Sequence, residues 1–312
     1  MIKKKRKKVI VIGFGTTGKR YFQILKKKNV DILILRKSKK KIFYKNKNIA
    51  ITQIDLMNIS LSNIDLAIIS SPVKTHWYYL KIFLKLKLDI IVEKPVINTT
   101  SQFKKLKHLI KKFNNNFYIN HSDLYNQNLH KLIKNLKNRK INKIIFNYGN
   151  DKNSYNVSSD NGPTQDWLPH ILAIIIFFVK EISKFKILYY SKVTKKGLVY
   201  EKSIFQIRYK KIISDVYFSN FPGNNLRTFK LYFNNGHINF DSYYNNNYIL
   251  YKKRKLKYNL KPKKTFDNLI NIALKNLKKK KHSDFYLFEK YFKIYQKIKS
   301  GILLKSKNNH II

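Results

Sequence analysis

The stretch Lys8-Val-Ile-Val-Ile-Gly13-Phe-Gly15-Thr-Thr-Gly18-Lys-Arg20 runs an apolar strand straight into three glycines and then into a helical pattern. The spacing G-x-G-x-x-G gives each glycine its own duty. Gly13 lets the chain turn sharply out of the strand, Gly15 lets the backbone approach a pyrophosphate, and Gly18 lets helix and strand pack closely. The helix that opens near Thr17 offers free N–H groups and the positive end of its dipole to that pyrophosphate, with Thr16 and Thr17 in its first turn. The reading is a dinucleotide-binding strand, turn and helix.

Outward from this stretch, the first third of the chain alternates strands and helices. Strands are expected at 32–35, 66–69, 90–92 and 117–120, with helices at 17–28, 74–86 and 101–113, the last capped by Ser101. Strands apolar on both faces and separated by helices imply a parallel sheet covered on both sides. The ligand crevice of such a sheet lies beyond the carboxyl ends of its strands, where Gly13, Ser70, Ser71 and Glu93 fall. The second strand ends Ile34-Leu35-Arg36-Lys37-Ser38. It supplies no acid for a ribose hydroxyl, and Arg36 with Ser38 favours the extra phosphate of NADP(H), with NAD(H) as the alternative.

Two further motifs, Ser71-Pro72-Val-Lys-Thr-His76 and Val92-Glu93-Lys94-Pro95-Val96, follow the glycine turn in order. Together the three motifs resemble the Gfo/Idh/MocA oxidoreductases, NAD(P)-dependent enzymes acting mostly on sugars, inositols and related polyols. The resemblance implies a Rossmann domain with cofactor-binding residues Gly13, Gly15, Thr16, Thr17, Gly18, Arg36, Ser38, Ser70, Ser71, Pro72, His76, Glu93 and Lys94. Lys94 is also a candidate catalytic residue. A lysine at a strand's carboxyl end can donate hydrogen bonds to a substrate oxygen and stabilise negative charge developing there.

The segment Asn120-His121-Ser-Asp123-Leu-Tyr125-Asn126 resembles the family's crossing into the substrate domain, so His121 and Tyr125 are candidates for the cleft, with structural roles equally open. Further on stands Asn161-Gly-Pro163-Thr-Gln-Asp166-Trp-Leu-Pro169-His170, opening an apolar helix. Asp166 and His170, four apart, share one helix face. Histidine suits proton transfer near neutral pH, and a nearby carboxylate can orient it. The pair resembles the family's D-x-x-x-H motif, which makes His170 the general acid/base and Asp166 its partner or a ligand of a substrate hydroxyl. Leu168 and Ala173 depart from residues common in the family, which bears on substrate identity. Pro169 is expected within about the first turn of this helix.

After residue 179 the chain turns to strands, at 185–190, 204–209, 212–218, 228–233 and 237–240, with an Asn-Gly hairpin signal at Asn235-Gly236. The fold class is therefore α/β: an N-terminal Rossmann domain over residues 1–121, then an α+β domain over 122–312 with a largely antiparallel open sheet. The open face suggests a homo-oligomer. Helices at 266–277 and 284–298 close the chain, with a basic run at 278–282 read as a solvated loop and a frayed tail from Lys305.

Composition narrows the function classes. The formal net charge is +50, and cysteine is absent, which excludes disulfides, thiolate metal sites and cysteine nucleophiles. The positive charge is almost all lysine and spread along the chain, whereas dedicated phosphate readers favour clustered arginine. The expectation is a small-molecule substrate, no specific nucleic acid, no membrane, no metal and a cytoplasmic location. Rival readings are a cofactor-binding protein without turnover, acting as partner or sensor, and a basic nucleic-acid binder.

Overall fold

In the computed structural model of this 312-residue chain, the described residues are 6–52, 61–134, 136, 139–149, 162–223, 225–242, 246–258, 264–277, 279 and 283–308. Residues 150–161, a polar and poorly patterned stretch that the sequence offers as a border of the substrate site, the aromatic residues Tyr243 and Tyr244, and most of the basic run at 278–282 lie outside them. The chain divides into two compact units, Met1–Asn120 with Phe266–Phe285, and His121–Thr265 with Tyr286–Ile312.

The first unit is built on β1 (Lys7–Ile12), β2 (Val30–Leu35), the short strands β3 (Phe43–Tyr44), β4 (Lys47–Asn48) and β5 (Ala50–Ile51), then β6 (Leu66–Ile69), β7 (Asp89–Val92) and β8 (Phe117–Ile119). Its main sheet runs β5-β2-β1-β6-β7-β8, every pairing parallel. Val9–Ile12, Leu66–Ile69 and Ile90–Val92 are buried throughout, as strands covered on both faces must be. The helices are α1 (Thr16–Leu25), α2 (Val73–Lys85) and α3 (Thr100–Phe113). The cap of α3 is Thr99 rather than Ser101: the Thr99 hydroxyl accepts the Gln102 N–H at 3.2 Å, and the Gln102 side-chain Oε1 accepts the Asn98 N–H. Side chains at both ends of the first turn thus satisfy otherwise orphaned donors.

The second unit contains α4 (Gln127–Lys134), β9 (Ile141–Gly149), α5 (Pro163–Val179), β10 (Lys184–Lys195), β11 (Leu198–Tyr209), β12 (Ile212–Ser219), β13 (Arg227–Phe233), β14 (Gly236–Asp241), β15 (Asn247–Tyr251) and β16 (Arg254–Tyr258). Its eight strands lie in the order β10-β11-β12-β9-β13-β14-β15-β16; β12 and β9 pair parallel and the rest antiparallel. One face, carrying Phe205, Val216, Phe146, Phe229 and Phe240, is buried, and α5 packs on β11 and β12. Alternate residues leave Ile204, Tyr217, Ile145 and Tyr232 half-buried or exposed on the other face.

Four expectations change. Residues 266–285, read as part of the second domain, lie in the first unit. There α6 (Thr265–Asn276) packs Phe266 against Tyr21, and the Asp284 carboxylate accepts the Ile119 N–H at 2.8 Å. The final helix α7 (Phe285–Asn308) carries on past residue 298 and through the start of the tail expected to fray. Strand β11 begins six residues earlier than its aromatic pattern suggested. Its inward positions there hold Glu201 and Ser203, polar residues that a periodicity argument reads as outward. Finally, α5 begins at Pro163, so Pro169 lies inside the helix, where it removes the bond its N–H would give to the Gln165 carbonyl.

Candidate functional site

In the first unit the glycine turn is built as a cradle. Gly13 holds φ +89°, a conformation natural to glycine, and a Cβ there would stand 2.8 Å from the Ser71 backbone. A Cβ on Gly18 would meet the Gly13 carbonyl oxygen at 2.1 Å. Gly15, which caps α1, has no atom within 4 Å of such a position. Space therefore opens at the helix N-terminus where a pyrophosphate binds, and α1 has neither an acid in its first turn nor a capping side chain to compete for its N–H groups. Thr16 and Thr17 are that first turn. The residues present fit a dinucleotide.

The flanking strand ends are tied together. Ser70 Oγ lies 3.0 Å from the Ile12 carbonyl and 3.2 Å from that of Gly13. The Thr75 hydroxyl donates to the Pro72 carbonyl and accepts from Ser71 Oγ at 2.7 Å. His76 is buried at 1% exposure, with Nδ1 3.0 Å from the Pro95 carbonyl and Nε2 2.8 Å from that of Ser71. Its ring braces the segment after β6 against the segment after β7. Burial holds its pKa below the ordinary 6.5.

Glu93 and Lys94 follow β7, and the Lys94–Pro95 peptide bond is cis. Glu93 Oε1 accepts two bonds, from the Tyr21 hydroxyl at 2.8 Å and from Asn120 Nδ2 at 2.6 Å. Burial, then the Glu93 charge, pushes the Tyr21 pKa well above its ordinary value, so the phenol remains a donor. At the end of β2, Arg36 has its guanidinium carbon 5.8 Å from the Phe14 ring centroid, its Nη1 3.4 Å from the Lys40 carbonyl and its Nε buried without a hydrogen-bond partner. Ser38 Oγ accepts the Lys40 N–H. Arg36 thus stands beside the glycine turn with donor capacity left over.

In the second unit Asp166 lies in the first turn of α5 and His170 one turn later. The His170 ring meets two others, His121 at 5.9 Å and Trp167 at 6.0 Å between centroids. Trp167 in turn carries the Arg227 guanidinium at 4.9 Å and meets Tyr148 at 5.6 Å. Arg227 donates to Asp123 Oδ2 from Nε and Nη2 and to Ser122 Oγ from Nη2, and the Tyr148 hydroxyl donates to the same Asp123 oxygen at 2.8 Å. Burial works against the Arg227 charge, and Asp123 with Tyr148 more than offsets it, so the ion pair persists. Tyr125, the other cleft candidate, is buried.

The N-terminus of α5 is held by Glu201 from β11. The Glu201 carboxylate is buried, accepts the Thr164 N–H at 2.9 Å and the Tyr190 hydroxyl at 3.0 Å, and fills the space a Cβ on Gly162 would need. Lys94 belongs to the first unit and Asp166 and His170 to the second. Tyr21, Asn120, Asp123, Arg227, Tyr291 and Glu201 were not singled out from the sequence as working residues. Each acts through a partner distant along the chain, and no local pattern announces it. Among the described residues no group of three or more His, Asp or Glu is placed to hold a metal, and no helix is long and apolar enough to cross a membrane.

Residues 7–121 match the family model described as "Oxidoreductase family, NAD-binding Rossmann fold", the Gfo/Idh/MocA model. Solved structures resemble nearly the whole chain at low identity. A dehydrogenase from Chromobacterium violaceum has a TM-score of 0.80 at 11% identity, covering 98% of this chain and 99% of its own. The UDP-N-acetylglucosamine 3-dehydrogenase of Acidithiobacillus ferrooxidans has a TM-score of 0.79 at 11% identity, covering 94% and 96%. A 3-ketoreductase from Actinomadura kijaniata, solved with TDP-benzene and NADP, has a TM-score of 0.74 at 11% identity, covering 95% and 98%. At these identities the likeness establishes a shared two-part fold. No curated protein matches the chain in sequence.

Proposed function

We propose that the chain, whose residues 7–121 match the NAD-binding Rossmann model of the Gfo/Idh/MocA oxidoreductases, is an NAD(P)-dependent oxidoreductase acting on a carbinol or carbonyl carbon of a sugar, nucleotide-sugar or similar polar substrate. The observation that carries the reading is the glycine turn: Gly15 leaves space at the N-terminus of α1, and Gly13 and Gly18 are each required by a close backbone approach. The substrate class rests on the similar folds of the UDP-N-acetylglucosamine 3-dehydrogenase and the TDP-benzene-bound 3-ketoreductase.

The bound cofactor supplies a hydride donor or acceptor; the protein supplies placement and electrostatics. Lys94 polarises the substrate oxygen by hydrogen bonding and stabilises the charge that develops on it. His170 takes the hydroxyl proton in oxidation and returns it in reduction, and Asp166 tunes that exchange or binds a neighbouring hydroxyl. Arg36 and Ser38 favour NADP(H), since no acid stands at the end of β2 and the Arg36 Nε is an unused buried donor.

The test is a fluorescence titration with NADPH and, separately, NADH, on the wild type and on Gly15→Asp and Arg36→Ala variants. Saturable binding that Gly15→Asp abolishes supports the cofactor site. A loss of NADPH affinity in Arg36→Ala of roughly tenfold, about 1.4 kcal/mol, with NADH little changed, supports the phosphate assignment. Absence of saturable binding of either cofactor overturns the reading.

A further inference from the structure

The described part of the second unit contains a histidine that the reaction scheme does not use. His121 opens the unit, and its ring is buried at 1% exposure. On one side its Nε2 lies 3.0 Å from the hydroxyl of Tyr291 on α7, itself buried. On the other side its ring meets His170 edge to face, with centroids 5.9 Å apart and planes at 80°. Tyr291, His121, His170 and Trp167 therefore form an unbroken row of rings, with successive centroids 5.4, 5.9 and 6.0 Å apart.

We propose that His121, held by Tyr291, is a positioning residue for His170 and shares a single proton with it. The inference rests on His170 being the residue that moves the substrate proton. Two imidazoles at this separation with little water between them repel strongly when both are charged, so the pair holds one proton over the pH range in which an isolated pair would take two. Both rings are nearly sealed from water, His170 at 6% exposure and His121 at 1%. The proton is therefore divided between them, and charging one ring opposes charging the other. Contacts with both His121 and Trp167 also restrain the angle of the His170 ring, as proton transfer to a defined oxygen requires.

Among the described residues, these ionisable groups lie on the elements that carry or adjoin the pair. On α5 it is Asp166; on α7 they are Tyr291 and Tyr295. At the turn Ser122–Tyr125, on β9 and on β13 they are Asp123, Tyr148 and Arg227, which are closed into their own ion pair and hydrogen bonds against Trp167. The Tyr295 phenol is kept protonated by burial and then by the Asp166 charge. Asp166 remains the one carboxylate on the helix of His170. It is present in every variant used below, so its influence cancels in the comparison.

The experiment is an NMR titration of full-length protein carrying 13C-labelled histidine, from about pH 5 to about pH 8, the range in which histidine changes charge. Resonances are assigned with His121→Phe and His170→Phe, and His121→Asn serves as a second variant that keeps a polar partner for Tyr291. In the wild type the two ring resonances are expected to move over the same pH interval. In His121→Phe and His121→Asn the His170 midpoint is expected to rise by about half a unit or more, because its competitor for the proton is gone. His121→Phe fills much the same space, so relief of desolvation does not account for a rise in that variant. Separate, independent titrations, or a His170 midpoint that stays or falls in both variants, overturn the proposal. The outcome is read without turnover. Coupled histidines in a protein that fails to bind NADPH would sink the functional reading and leave the pair standing, and independent histidines in a protein that binds NADPH would do the reverse.

Discussion

The Tyr21 hydroxyl donates to Glu93 Oε1 at 2.8 Å, joining the first helix after the glycine turn to the strand end that carries Lys94. Asn120 Nδ2 donates to the same oxygen at 2.6 Å. The carboxylate is thereby fixed from the helix on one side and the neighbouring strand on the other. A hydrogen bond to a charged group contributes about 1.5–3 kcal/mol. Tyr21→Phe, which keeps the ring and its contact with Phe266, is expected to lower the unfolding free energy by about that amount in a urea titration. An unchanged midpoint would show that Asn120 alone suffices.

Gly18 and Gly15 separate folding from binding. Gly18→Ala places a methyl 2.1 Å from the Gly13 carbonyl, and overpacking of this kind costs about 1–3 kcal/mol. Gly15→Ala meets no atom; as a loss of glycine at a helix cap it costs about 1 kcal/mol or less. The expected outcome is a markedly reduced melting temperature for Gly18→Ala, and for Gly15→Ala a nearly native melting temperature with weakened cofactor binding. Equal destabilisation by both would contradict the geometry.

His76 gives the first unit an acid sensitivity of definite sign. Burial lowers its folded-state pKa below the ordinary 6.5. The unfolded chain therefore binds the extra proton first as pH falls, so the stability linked to neutral His76 is fully present above 6.5 and declines on acidification below it. His76→Gln is expected to melt lower than wild type near neutral pH and to lose less on going to about pH 5.5. A steeper acid decline in the variant would reverse the assignment.

The open face of the eight-stranded sheet predicts self-association. Tyr217 is 42% exposed there, with Asn147 and Ile204 as its cross-strand neighbours, and neither is buried. Light scattering is expected to give more than one copy per particle for the wild type and a single copy for a Tyr217→Lys, Ile145→Lys double variant. A monomeric wild type would leave the face without that role.

Legibility in the sequence follows contact distance along the chain. The glycine turn, the strands of the first sheet and the i, i+4 pair Asp166 and His170 are local features, and residue type and spacing suffice to place them. Clamps that join distant residues are not local. Glu93 meets Tyr21 across 72 residues, Arg227 meets Asp123 across 104, and Tyr291 meets His121 across 170. Glu201 misled the reading of β11 for the same reason: its inward direction makes sense only once the N-terminus of α5 lies over it.

By itself the sequence determined a parallel sheet opening on a glycine-rich turn and followed by a largely antiparallel one, because backbone sterics and alternating burial act within a few residues. Tertiary structure alone decided that residues 266–285 return to the first unit, that His76 is a brace and that His121 meets both Tyr291 and His170. Those outcomes depend on which buried donors and acceptors find each other once water is excluded, and that pairing exists only in the folded chain.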